Sequence, residues 1–248
     1  MGVANDHSIA WGIAQALAEN GAEVALTYQD ENFEKRVRPL AKTIDSSLIL
    51  PCDVSDQDSI DAAFETIATE WGGLDFVVHA IAFSDKSELN GRFFDTSRAN
   101  FSRTMDISCF SFTAVTRAAA ALMPTGGSVL TLTYAGARRV MPNYNVMGVA
   151  KAALEASTRY LAADLGPQAI RVNALSAGPM RTLAGAAIGG SRFVYKWQSE
   201  NAPLRRNVTL DEIGGAALYL LSDQGKGTTG EILHVDAGYH VVGMLAHD

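Results

Sequence analysis

The chain holds 248 residues, 48% of them hydrophobic, with a formal net charge of −7. That length and apolar content suit one domain around a single sizeable core. The negative balance removes any electrostatic reason to expect a nucleic-acid partner, and no apolar run is long enough to span a membrane.

In chain order, the first feature is "MGVANDHSIAWGIA", a glycine-containing loop running into a helical pattern near 8–20 with no strand before it. A phosphate-cradling loop needs a preceding strand to aim it, and that strand lies centrally in its sheet. The expectation is that about ten residues, a strand and its lead-in, precede this sequence and that Met1 sits at a strand end. The alternative is a molecule without its central strand. Gly2 permits a tight turn, Ser8 is placed to cap the helix, and exposed amides at such a helix start bind pyrophosphate. The loop does not spell G-x-G-x-x-G, however, and Gly2 with Gly12 read equally as turn and packing residues.

An apolar strand at 22–28 leads into "YQDE", where a dinucleotide-binding fold meets the adenosine ribose. Gln29 can hydrogen-bond there, while Asp30 and Glu31 would repel a 2′-phosphate, favouring NAD over NADP. Lys35 and Arg36 follow closely and moderate that preference; a solvated helix start is the plainer reading. The strand at 46–52 ends in "CDVSD", where Asp53 and Val54 flank an adenine, or Asp53 caps the helix near 56–71. Further strands read at 74–80, 127–134, 169–176 and 230–236, with helices near 98–122, 145–165 and 209–222. The last helix opens on "TLDE", a capping-box pattern. The strands lack alternation, as expected when helices cover both faces of a sheet. This is the α/β class: a doubly wound, Rossmann-like parallel sheet in one domain over 1–248, its first strand not in the sequence.

Cys52 and Cys109 stand far apart without metal-ligand spacing and read as buried thiols of a reducing compartment. No signal peptide is recognisable, so a soluble cytoplasmic protein is expected. His7, His79, His234, His240 and His247 offer no ligand spacing either, and no metal is implied. The stretch richest in chemistry is "YNVMGVAK". Positions 144, 147 and 151 share one helical stripe, which would point Tyr144 and Lys151 into one cleft about two turns apart. Taken singly, a helix tyrosine packs and a helix lysine is solvated.

With "GVANDHSIAWGIA", "PNYNVMG", "RVNALSAGP", "SAGPMRTLA" and "EILHVDAGY", most of the chain resembles a short-chain dehydrogenase/reductase. It is similar in particular to the enoyl-acyl carrier protein reductases. Carbonyl-reducing relatives carry Tyr-x-x-x-Lys, with a serine thirteen residues before that tyrosine. Counting back from Lys151, those places hold Met147 and Tyr134, which weakens a ketone-reducing assignment. The resemblance implies reduction of a trans-2 enoyl thioester by NADH in fatty acid synthesis. Tyr144 would then donate to the enolate oxygen, Lys151 hold the nicotinamide-ribose hydroxyls, and Tyr134 shape the acyl pocket.

Other roles rest on the same resemblance. Gly2, Ser8 and Ile9 belong to the cofactor loop; Ile81 lies against the nicotinamide side and Ser84 near the thioester. Met180 and Thr182 contact the carboxamide and pyrophosphate, while Pro179 doubles as a turn former. Residues 180–192 resemble a substrate-binding loop, whose Gly and Ala content itself predicts mobility. Small residues from Ala184 to Ala187 would leave width for an acyl chain. The expected partner, an acidic carrier protein, would meet Arg192, Lys196, Arg205 and Arg206. Some relatives carry basic residues where Gly189, Gly190 and Phe193 stand, and scattered solvated charges are the alternative. Helices 98–122 and 145–165 would build the bundle of a homotetramer, or be absorbed in a large core. Two other readings stay open, a carbonyl reductase or alcohol dehydrogenase on the same fold and a non-catalytic dinucleotide-binding module.

Overall fold

Parallel strands cannot be joined by a tight turn; each needs a crossover, and the helices between the apolar runs supply it. The computed structural model describes residues 1–183, 185 and 189–244. Within them lie six strands: β1 (Leu26–Tyr28), β2 (Ile49–Pro51), β3 (Phe76–His79), β4 (Gly127–Thr133), β5 (Ile170–Ala177) and β6 (Ile232–Val235). All pair in parallel, β1 with β2 and the others as a ladder β3-β4-β5-β6. All six expected strands are present, each shorter than its apolar run or equal to it. Met1 stands beside β3 as in a parallel ladder: its amino group donates to Val78 O at 2.8 Å and its carbonyl accepts from Ala80 N at 3.2 Å.

The helices are α1 (Ile9–Glu19), α2 (Glu31–Thr43), α3 (Gln57–Trp71), α4 (Lys86–Leu89), α5 (Arg98–Met105), α6 (Ser111–Ala120), α7 (Asn145–Leu165), α8 (Ser191–Asn201) and α9 (Leu210–Leu221). Successive strand residues face opposite ways, and each face has its own core. Val77, Val129 and Val172 join Ile60 and Phe64 of α3, Phe112 and Val115 of α6, and Leu154 of α7. Val78, Leu130 and Leu175 join Trp11, Ile13 and Leu17 of α1 with Ile213 and Leu220 of α9. The sheet is therefore doubly wound. Gly12 is a packing glycine at the α1–α9 contact, since a Cβ there would lie 2.8 Å from Leu210 Cβ.

Three helices lie outside those expected. α2 is charged along its length, contains Pro39, and buries only Val37 and Ala41. α4 is a single turn, and α8 buries only Gln198. The expected helix at 98–122 is instead α5 and α6 joined by a π-helical turn, Asp106–Phe110. The capping box forms as expected: Glu212 N donates to Thr209 Oγ1 and Thr209 N to Glu212 Oε2. Cys52 and Cys109 are buried free thiols. Among the described residues, no helix is long and apolar enough to cross a membrane and no acidic, His or Cys cluster is arranged for a metal.

Candidate active site

In an open parallel sheet the loops at the carboxyl ends of the strands form the binding edge. Gln29, Asp53, Ile81, Tyr134, Met180 and Thr182 each follow a strand of this fold within a few residues, so they share that edge. Gly2 opens the first loop at φ 99°, and a Cβ there would lie 2.1 Å from Ala80 O, so only glycine fits over the end of β3. Ser8 occupies the cap position of α1 but does not cap it. Its hydroxyl instead accepts from the amides of Ala4 (3.0 Å) and Asn5 (3.1 Å), folding the loop back on itself. The first-turn amides of α1 are therefore not used by a side-chain cap, which suits an anionic group. Ile9 packs against the α1–α9 core.

Gln29 Nε2 donates to Asp53 Oδ2 at 3.2 Å, tying the ends of β1 and β2 together. Burial works to raise the Asp53 pKa, but bonds from the Ser55 amide and hydroxyl and from Gln29 outweigh it and hold the carboxyl below its ordinary value. Asp53 does not cap α3; Asp56 does, through Asp58 N. Val54 is half-buried beside the core on the α3 side. Asp30 caps α2 by accepting from the amides of Asn32 and Phe33, so the helix-start reading of "YQDE" holds for that residue.

The loop after β3 carries Ile81 and Ser84, and it is clamped by residues that the sequence reading missed. Ser108, on the π-helical turn, accepts from Phe83 N at 2.9 Å and donates to Phe83 O at 2.8 Å. Thr104 Oγ1 donates to Ser84 Oγ at 2.9 Å, and Asn100 Oδ1 accepts from Asp85 N at 2.9 Å. All three are buried. Their four-residue spacing on an otherwise mixed helix was the available signal: three small polar groups on one face need partners once buried.

Tyr144 is the residue before the first turn of α7, at φ −109° and ψ −27°, and not a residue within the helix as the shared stripe requires. It is nonetheless buried, and so is Lys151. The Tyr144 ring packs edge to face on Tyr134, with centroids 5.3 Å apart at 72°. Leu89, Val146, Met147 and Met141 complete this small cluster, so Met147 is a packing residue. Burial pushes both phenols well above their ordinary pKa, aided by Tyr239 at Tyr134 and by Tyr134 at Tyr144, so both stay protonated donors. Lys151 Nζ donates to the main-chain oxygen of Leu132 at 2.8 Å. Burial lowers its pKa to about 8, opposed by Cys109 and Glu155.

Thr182 N donates to Met180 O, and its hydroxyl accepts from Gly185 N, both at 2.9 Å. Met180 packs on the α1–α9 core. Ala184 lies outside the described residues, as do 186–188. An apolar cleft of about 220 Å³ is lined on one side by Val140, Met141 and Pro142 and on the other by Phe193, Val194, Trp197 and Gln198, with Tyr239. None of the predicted site residues lines it, though Met141 links it to the Tyr144 cluster. Of the four expected basic residues, Arg206 is paired with Glu212, Lys196 lies 3.6 Å from Glu200, and Arg205 bonds Glu200 O; Arg192 is exposed beside Phe193.

Comparison with known proteins gives the family. Residues 2–240 match the family model described as enoyl-(acyl carrier protein) reductase. An enoyl-[acyl-carrier-protein] reductase [NADH] of Rhizobium meliloti is 64% identical over 98% of this chain and 91% of its own. The crystal structure of the Anaplasma phagocytophilum enoyl-acyl carrier protein reductase in complex with NAD is 63% identical, with a TM-score of 0.96 over 99% of this chain and 94% of its own. The Bacillus cereus enzyme, solved with NADP+ and indole naphthyridinone, is 52% identical, with a TM-score of 0.96 over 98% and 96% of the two chains. A doubly wound sheet, under a match that runs almost end to end, leaves one conclusion: this chain belongs to the enoyl-(acyl carrier protein) reductase family.

Proposed function

We propose that this chain reduces the trans-2 double bond of enoyl-acyl carrier protein thioesters with NADH, in fatty acid biosynthesis. The observation that carries the reading is the buried phenol pair Tyr134–Tyr144 beside the helix that presents Lys151, with Met147 packed where a ketone reductase carries its acid. Bound NADH supplies a hydride to the β-carbon of the substrate. In a conjugated thioester the resulting charge gathers on the carbonyl oxygen, several bonds away. Tyr144 donates its O–H to that oxygen, an interaction that strengthens only as charge develops. Burial suits it to this role, because it keeps the phenol protonated and thins the competing water. Lys151 adds positive charge and holds the nicotinamide ribose, its head fixed by Leu132 O.

The dinucleotide would lie along the carboxyl edge of the sheet. Gly2, Ser8 and Ile9 hold the pyrophosphate end with Thr182, while Gln29, Asp53 and Val54 meet the adenosine. Ile81 and Met180 flank the nicotinamide, and Ser84 lies by the thioester. Asp30 and Glu31 at the start of α2 disfavour a 2′-phosphate, which supports NADH. Tyr134 shapes the acyl site, and the apolar cleft beyond Met141 takes the chain. Exposed Phe101, Phe110, Val149 and Tyr160 on α5, the π-helical turn and α7 support a helix-bundle interface in a homotetramer. We read the chain as one cytoplasmic domain whose partner is the acyl carrier protein, without nucleic acid or membrane.

The test is a spectrophotometric assay of NADH and NADPH oxidation with a crotonyl or longer enoyl thioester and, separately, a ketone. NADH-linked turnover of the thioester is expected. Turnover of the ketone alone refutes the reading, and tight NADH binding without turnover of any enoyl thioester restores the binding-module alternative.

A further inference from the structure

Two residues in the left-handed region flank the catalytic phenol: Asn143 at φ 57° and Asn145 at φ 34°. Residues other than glycine persist there when their surroundings hold them, and such positions gather at functional sites. Each asparagine side chain is tied to a different loop. Asn143 Nδ2 donates to Gly189 O at 2.7 Å. Asn145 Nδ2 lies 3.3 Å from both Glu88 O and Gly91 O. Tyr144 is thus strapped on one side to the chain entering α8 and on the other to the chain around the end of α4.

The first strap has a definite place in the acyl cleft. One wall of that cleft is 140–142, directly before Asn143; the other is the α8 face carrying Phe193, Val194 and Trp197, shortly after Gly189 and Gly190. The Asn143–Gly189 bond therefore crosses from one wall to the other at the Tyr144 end. Gly189 is shaped to this contact: a Cβ there would lie 2.4 Å from Asn90 Oδ1 and 3.3 Å from Asn143 Nδ2. A side chain at 189 would displace the exposed Asn90 amide and crowd that of Asn143.

Resting on the reading of Tyr144 as the enolate donor, we propose that Asn143 is a positioning residue that sets the width of the acyl cleft by holding the Gly189 carbonyl against the segment bearing Tyr144. Its effect falls on thioester binding and not on the dinucleotide, which lies along the sheet edge. The test uses the full chain with NADH and one long enoyl thioester. Asn143→Gly removes the amide while keeping the left-handed backbone accessible. It is expected to raise KM for the thioester by roughly two- to tenfold, the scale of one neutral hydrogen bond, with NADH affinity unchanged and kcat affected less than KM. An unchanged KM in Asn143→Gly, or an equal loss of NADH affinity, overturns the proposal while the wild type remains active. A wild type inactive on enoyl thioesters sinks both this inference and the reading beneath it.

Discussion

At the scale of the residue, the division of labour between Tyr144 and Lys151 is a matter of which atom each can reach. The phenol is buried in an apolar cluster, so its contribution to turnover is one hydrogen bond made to developing charge. Tyr144→Phe is expected to lower kcat by roughly 10²–10³-fold, the scale of one oxyanion donor, and to leave NADH affinity nearly unchanged. Lys151→Ala should weaken NADH binding as well as turnover. Fluorescence titration with NADH beside steady-state kinetics separates the two, and unaltered NADH affinity in the lysine variant would overturn the assignment. The two residues themselves were legible as a spaced pair, but the local geometry was not. Helical periodicity treats every position as mid-helix, whereas Tyr144 stands at the cap between two left-handed asparagines. Ser8 was legible as a cap position in the same sense, and its hydroxyl turned out to serve the loop before it. Side-chain hydrogen bonding over three or four residues in either direction has the same sequence signature.

At the scale of the element, His79 joins β3 to α6. Its ring nitrogens lie between two hydroxyls, Nε2 at 2.8 Å from Ser111 Oγ and Nδ1 at 3.2 Å from Thr131 Oγ1. The ring is fully enclosed, and burial first, then Lys151, lowers its pKa to about 3. A histidine held neutral in the fold is protonated more readily when unfolded. Its contribution to stability is therefore complete above its ordinary pKa near 6.5 and is lost as pH falls toward 3. A tenfold difference in proton affinity between folded and unfolded chain is worth about 1.4 kcal/mol, so urea melts should show stability falling steeply between about pH 7 and pH 4. A flat profile over that range would show that the ring is not held neutral. Elsewhere, Thr209→Ala should cost about 1 kcal/mol by removing one half of the α9 capping box, read as a lower urea midpoint with an unchanged slope. That cap was legible because its chemistry is local. The π-helical turn at 106–110 was not: one extra residue turns the following side chains by about 100°, yet the segments on either side still read as helix. α2 and α8 were missed because they are mostly polar and bury few side chains, so no apolar run marks them.

At the scale of the whole molecule, the sheet was legible because strands buried on both faces leave unbroken apolar runs, and the crossovers between them have a fixed hand. The apolar cleft was not, because its walls come from segments far apart in sequence, those of Val140 and Phe193. If the exposed aromatic residues on α5, the π-helical turn and α7 meet a second copy in the expected tetramer, light scattering should give four times the 26.4 kDa chain mass. Phe110→Asp should then shift it toward smaller species, and a monomeric wild type would rule the bundle out. The bond between Lys151 and the oxygen of Leu132 ties the cation to the sheet itself. The acceptor is a peptide group, so exchanging the amino acid at 132 leaves it in place; amino-acid drift there is silent for the cation above it. What would unseat the ammonium is a slip of β4 against its neighbours, which makes the alignment of the sheet, more than any one side chain, the guardian of the charge.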